Sequence, residues 1–160
     1  MTKFLLAVHV LAAIVAVGPV TVAASMFPPS ARKALAAPGD AQALSTVRVL
    51  YSICRVYAIV GVVVPAFGFA TAQNMGVLGD TWLIVSIVLT ALAAVVLAAL
   101  VLPRQAAIME GIGESPDGAG ESGVIQRATA RLAMFTGLFN LLWATVTILM
   151  IVRPGSTTGA

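Results

Sequence analysis

The sequence predicts an all-α protein: a four-helix transmembrane bundle built as two antiparallel hairpins, with N and C termini both extracytoplasmic. Three observations carry this. Of the 160 residues, 60% are hydrophobic and 9% are charged, against about 25% charged in an ordinary soluble domain. Four apolar stretches, residues 4–27, 56–72, 81–102 and 132–152, hold no Asp, Glu, Lys or Arg. The basic residues between those stretches are distributed unevenly along the chain. A helix rising about 1.5 Å per residue needs about 20 residues to cross about 30 Å of hydrocarbon, and each stretch approaches or exceeds that length. Barrel strands would need alternating polarity and a turn signal about every ten residues, and both are missing.

The first stretch follows Lys3 and contains the small-residue pattern Val22-Ala23-Ala24, so it also resembles a secretory signal. Its apolar run exceeds the roughly 7–15 residues of a signal core, and we read it as a span, residues 4–27. Pro28-Pro29 then predicts a turn at the membrane surface. Pro38-Gly39 breaks the chain, Asp40 is placed to cap free N–H groups, and good helix formers follow from Ala41. Helix 2 is therefore expected to begin about ten residues before its lipid-embedded part, with its span at 50–74. On that extension Arg48, Tyr51 and Arg55 recur at i, i+3 and i+7, a basic ridge on one helix face. The third span is residues 81–102, with a turn expected at Pro103. The connection after it includes residues 111–123, rich in Gly and acidic residues, which reads as a flexible cytoplasmic loop. Helix 4 follows, with its span at 126–152, and Arg127 and Arg131 share one face at the membrane surface. Residues 1–160 thus read as a single membrane domain.

Orientation follows from charge. Residues 28–55 and 103–131, which four spans place on one side, hold seven of the nine Lys and Arg residues; Lys3 and Arg153 are on the other. The positive-inside bias puts the long connections in the cytoplasm and the chain in the plasma (inner) membrane as a multi-pass protein.

Few residues invite chemistry. His9, the one histidine, lies inside the first span, where ionisable groups are costly. It reads either as an interhelical hydrogen-bonding group or as a cofactor-binding residue, an axial haem or copper ligand. Asn140, near the middle of helix 4, reads as interhelical glue. Pro19 and Pro65 should bend their helices, and Gly18, Gly61 and Gly68 should let helices approach closely. Arg48, Tyr51, Arg55, Arg127 and Arg131 read as lipid or partner contacts, anchoring the bundle at phosphates or binding an anionic lipid such as cardiolipin. Asp40 and Asp80 are at span borders, where caps are expected. Cys54 is the lone cysteine, so this chain alone makes neither an internal disulfide nor a thiolate cage. The five internal Met residues other than the first are too dispersed for a copper relay. No nucleophile with a base, paired intramembrane carboxylates or phosphate loop is visible, so the expectation is no enzyme and no resident metal or cofactor. Without a basic run interleaved with aromatics, nucleic acid is not an expected partner.

The run Phe4-Leu5-Leu6-Ala7-Val8-His9-Val10-Leu11-Ala12-Ala13-Ile14, continuing to Gly18-Pro19, resembles the first helix of a family of small four-span integral membrane proteins of unknown function common in actinobacteria. The resemblance implies four spans and a mobile third connection. Ala16 stands where relatives often carry an aromatic residue. A similar His-bearing first helix occurs in the copper-resistance-D type of membrane protein, which would imply copper handling, but the further His and Met ligands are absent here. In size and organisation the chain is also similar to accessory subunits of actinobacterial respiratory supercomplexes, which join a cytochrome bcc complex to a terminal oxidase. That similarity implies a subunit packed against larger redox proteins and lipids. The expected function is therefore a non-catalytic accessory or assembly subunit of a larger membrane complex, with a His9 haem or copper protein, or a small oligomeric transporter with a polar path near Asn140 and Pro65, as alternatives.

Overall fold

The computed structural model describes the backbone of residues 2–114 and 119–155 and the side chains of 2–112 and 123–155. Its elements are α1 (Thr2–Ala36), α2 (Ala41–Val60), α3 (Val63–Met75), α4 (Thr81–Val95), a π-helical segment (Val96–Val101), α5 (Leu102–Glu114) and α6 (Ala119–Val152), with no strand among the described residues. Taken through their interruptions they form four segments long and apolar enough to cross a membrane, Thr2–Ala36, Ala41–Met75, Thr81–Ile112 and Gly123–Val152. The four-helix architecture is as the sequence predicts, and the protein is an integral membrane protein. Below, the side bearing residues 37–40 and 115–118 is the connector end, and the side bearing Thr2, Gly76 and Val152 is the terminal end.

The prolines at the connector end do not turn the chain. α1 runs through Pro28 and Pro29 to Ala36, and α5 runs on from Pro103 to Glu114. Proline's fixed φ suits a helix; what it loses is one N–H and the i−4 bond that N–H would make. Around Pro28 that loss is offset by packing, because Phe27, Pro28 and Ala31 are fully buried. Before Pro103 the helix widens into the six-residue π segment, and the Arg104 guanidinium donates to the Leu100 carbonyl at 2.8 Å. Helix also covers residues 111–114 and 119–123 of the expected flexible loop; residues 115–118 lie outside the described residues.

The second span is broken at Gly61-Val62, between α2 and α3. Pro65 has no N–H for the Gly61 carbonyl, which instead accepts from Val64 N–H at 3.2 Å. Asp40 caps α2 as its sequence position predicts, its carboxylate accepting from Gln42 and Ala43 N–H at 2.9 and 3.1 Å. Asp80 does not cap α4 with its side chain. Its carboxylate is taken by the Trp82 indole N–H at 2.9 Å, while its carbonyl receives the Leu83 and Ile84 N–H groups.

Packing differs between the two ends. Toward the connector end α1, α2, α5 and α6 close a ring, each packed on its neighbours, around Phe27, Val47, Cys54, Val101 and Leu132, all fully buried. Toward the terminal end α3 packs on α1, α1 on α6 and α6 on α4, with no comparable packing between α3 and α4. A small cluster of Ala72, Trp82 and Leu83 beside the turn joins them. α1 shows the same gradient: eight buried residues between Ala16 and Ala34, and none before Ala16 among the described residues.

Candidate functional site

His9 is half-buried on α1 against α3. Its Nδ1 lies 3.0 Å from the Val64 carbonyl oxygen, an acceptor, so Nδ1 donates to it, and Nε2 is the nitrogen left for any other partner. Pro65 and the Gly61-Val62 break place that carbonyl in the first turn of α3. Gly68, one turn further on, makes room for the ring: a Cβ there would lie 2.8 Å from His9 Cε1 and 3.2 Å from Nδ1. Two residues singled out in the sequence, His9 and Gly68, thus meet in one niche; Pro65, next to Val64 in the chain, is exposed. The arrangement supplies an imidazole positioned through Nδ1, the orientation by a carbonyl partner that histidine ligands commonly have. No group of three or more His, Cys, Asp or Glu residues that could hold a metal ion occurs among the described residues, so any ion at Nε2 would draw its other ligands from elsewhere.

The remaining predicted residues are scattered. Gly61 ends α2, and Gly18 sits on the outward face of α1, where a Cβ would meet nothing within 4 Å. Pro19 is half-buried beside it. Asn140 joins helices, its Nδ2 donating to Ser25 Oγ at 3.0 Å. Arg48, Arg55, Arg127 and Arg131 are exposed, and Tyr51 is partly buried against the core. The two arginine ridges stand on α2 and α6, which flank α5 and do not pack extensively on each other, so they are two separate patches and not one pocket.

Sequence reasoning missed a second polar place. Gln105 is fully buried, with Nε2 3.5 Å from Cys54 Sγ. Its Oε1 has no partner, and neither do Thr136 Oγ1 and Asn140 Oδ1. Gln105 was hidden because Pro103 reads as the end of a helix; a continued helix would have put it inside. Arg104, counted there as a loop cation, stacks 4.3 Å over the Phe135 ring.

The niche and the four spans are matched by one comparison with known proteins. A family model described as predicted integral membrane protein (DUF2269) matches residues 3–154. The chain belongs to the DUF2269 family. No curated protein and no solved structure matches this DUF2269 protein. The match takes in all four spans, including the His9 niche and both arginine ridges.

Proposed function

We propose that this protein is a non-catalytic accessory or assembly subunit of a larger complex in the plasma membrane. The observation that carries the reading is how little of each span its own chain covers: between 11% and 28% of the most apolar stretch of each. Leu11, Ile14, Val22, Phe69, Val88, Leu141 and Ile151 are all more than 45% exposed, leaving apolar surface on every side for lipid or partner helices. Close packing of small and apolar residues drives association in lipid, where burial from water contributes nothing. The arginine ridges would hold the bundle at anionic headgroups, cardiolipin among them. A respiratory cytochrome bcc–oxidase supercomplex is the setting suggested by the similarity in size and organisation noted above. The test is purification from native membrane in a mild detergent without crosslinking, with the co-purifying proteins identified. Recovery of cytochrome subunits is expected. Repeated recovery of the chain with no other protein sinks the reading.

A second reading is favoured by the His9 geometry: a haem or copper site with Nε2 as one ligand, since the Val64 carbonyl occupies Nδ1 and leaves Nε2 as the ring nitrogen without a protein partner of its own. An absorbance spectrum of the purified protein decides it. A Soret band present in the natural chain and lost in His9→Ala supports ligation by His9; a featureless spectrum from protein purified from native membrane, together with no copper by elemental analysis, rejects it.

A further inference from the structure

We propose that the cleft between the end of α1 and the start of α2 binds a zwitterionic aminophospholipid, one whose headgroup carries a phosphate and a primary ammonium, as phosphatidylethanolamine does. The cleft, about 290 Å³, is lined by Ser30 and Lys33 of α1, Asp40 of the connection, and Gln42, Ala43 and Thr46 of α2. It brings one cation and one anion to the same small space without joining them, since neither Lys33 nor Asp40 makes an ion pair among the described residues. Asp40 Oδ1 accepts from the Gln42 and Ala43 N–H groups, which leaves Oδ2 without a partner. The Ser30 hydroxyl and the Gln42 side-chain amide are likewise unengaged among the described residues. The free N–H groups at the start of α2 are already capped, so what the cleft offers a ligand is side chains of both signs.

Depth and charge select the ligand. Ser30 lies three residues beyond Phe27, where the first apolar stretch ends, so the cleft sits at the level of lipid headgroups. Toward the hydrocarbon both of its walls turn apolar: helical spacing leads from Lys33 and Ser30 to Met26 and Val22 on α1, and from Thr46 to Val49 on α2, all three apolar residues at least half exposed. A molecule that fills the whole path has a charged end and a greasy one. Its phosphate is matched by the Lys33 ammonium, with the Ser30 hydroxyl as a further donor; its ammonium is matched by Asp40 Oδ2 and the Gln42 side-chain carbonyl. A purely anionic headgroup would be set against the Asp40 carboxylate, which separates this cleft from the arginine ridges. Choline keeps the positive charge but has no N–H to donate, so it forfeits the charge-assisted hydrogen bond to Asp40. The volume is at the lower end of small-ligand pockets, about 300–1,000 Å³, a size for a headgroup.

The test uses the full-length protein, delipidated in mild detergent and titrated with dioleoyl phosphatidylethanolamine or dioleoyl phosphatidylcholine, with bound lipid counted by native mass spectrometry. The two lipids share net charge, phosphate and acyl chains, so the arginine ridges do not tell them apart. Several-fold tighter binding of phosphatidylethanolamine is expected. Asp40→Asn, which keeps a side-chain oxygen to cap α2, is expected to bring the two lipids to equal affinity, and Lys33→Gln to weaken both several-fold. Lys3→Gln, exposed at the terminal end, is expected to change neither. Soluble phosphoethanolamine, which carries the same two charges without acyl chains, is expected to displace the lipid only at far higher concentration. The inference is overturned if the natural chain holds the two lipids equally, or if Asp40→Asn and Lys33→Gln both leave the preference and the affinity as they were. It is overturned equally if soluble phosphoethanolamine displaces the lipid at the lipid's own concentration, which would make the cleft a site for a soluble zwitterion. Co-purification of a larger complex is a separate readout, so the accessory role and this lipid site can fail independently.

Discussion

The imidazole of His9 and the missing side chain of Gly68 act as one unit. Adding a methyl at Gly68 brings it 2.8 Å from His9 Cε1, closer than real carbons approach, so the ring must move off the Val64 carbonyl. Gly68→Ala is expected to destabilise the bundle by about 1–3 kcal/mol, the usual cost of overpacking, measured by unfolding in mixed micelles. His9→Ala should cost less, about 0.6 kcal/mol, typical of an interhelical hydrogen bond in lipid. If Gly68→Ala is as stable as the natural chain, the niche is not packed as described. Gln105 gives the opposite expectation. Its Oε1 is buried without a partner, and removing an unsatisfied group in favour of an apolar one of similar shape is close to neutral or stabilising. Gln105→Leu should therefore unfold no more easily than the natural protein in the same assay, and a loss above about 2 kcal/mol, the range for a broken buried partner, would show that Oε1 has a bonding role.

At the scale of elements, much of the helix pattern could be read from residue order, and its failures have physical causes. Asp40 after Pro38-Gly39 reads as a cap because a carboxylate one residue before a helix meets free N–H groups, and the structure has it doing so. Asp40→Ala is expected to cost about 0.5–2 kcal/mol and to loosen the first turn of α2, seen as faster amide exchange from residue 42 onward. The prolines misled. Pro28-Pro29 and Pro103 read as turns, since proline stops helices in water, but long apolar neighbours hold these helices together and the backbone adjusts by a π segment. The break at Gly61-Val62 was legible only as a bend near Pro65. Of the candidate niche, His9 and Gly68 were each visible as residues, but their meeting depends on the pairing of α1 with α3, for which a single sequence holds no signal.

For the whole molecule, the four spans were legible because hydrocarbon thickness and backbone hydrogen bonding leave so few alternatives. Orientation rests on charge. Tags at the two termini are expected to be reached by a membrane-impermeant reagent from outside intact cells, with cysteines introduced at Arg48 and Arg127 protected; labelling of the latter from outside would reverse the assignment. Replacing Arg48, Arg55, Arg127 and Arg131 together by Gln should weaken retention of anionic lipid, at about 1 kcal/mol for each basic residue near the surface. The measurement is lipid content after detergent exchange.

The gradient along α1, from its unburied opening turns to eight buried residues beyond, divides the molecule mechanically. One half is stiff, locked by a ring of four packed rods, and the other is compliant, its helices held mainly in pairs. Thermal breathing concentrates where side chains have fewest neighbours, so the outermost turns of α1 will be the first part to loosen, while the segment around Phe27 and Cys54 holds until the entire fold gives way.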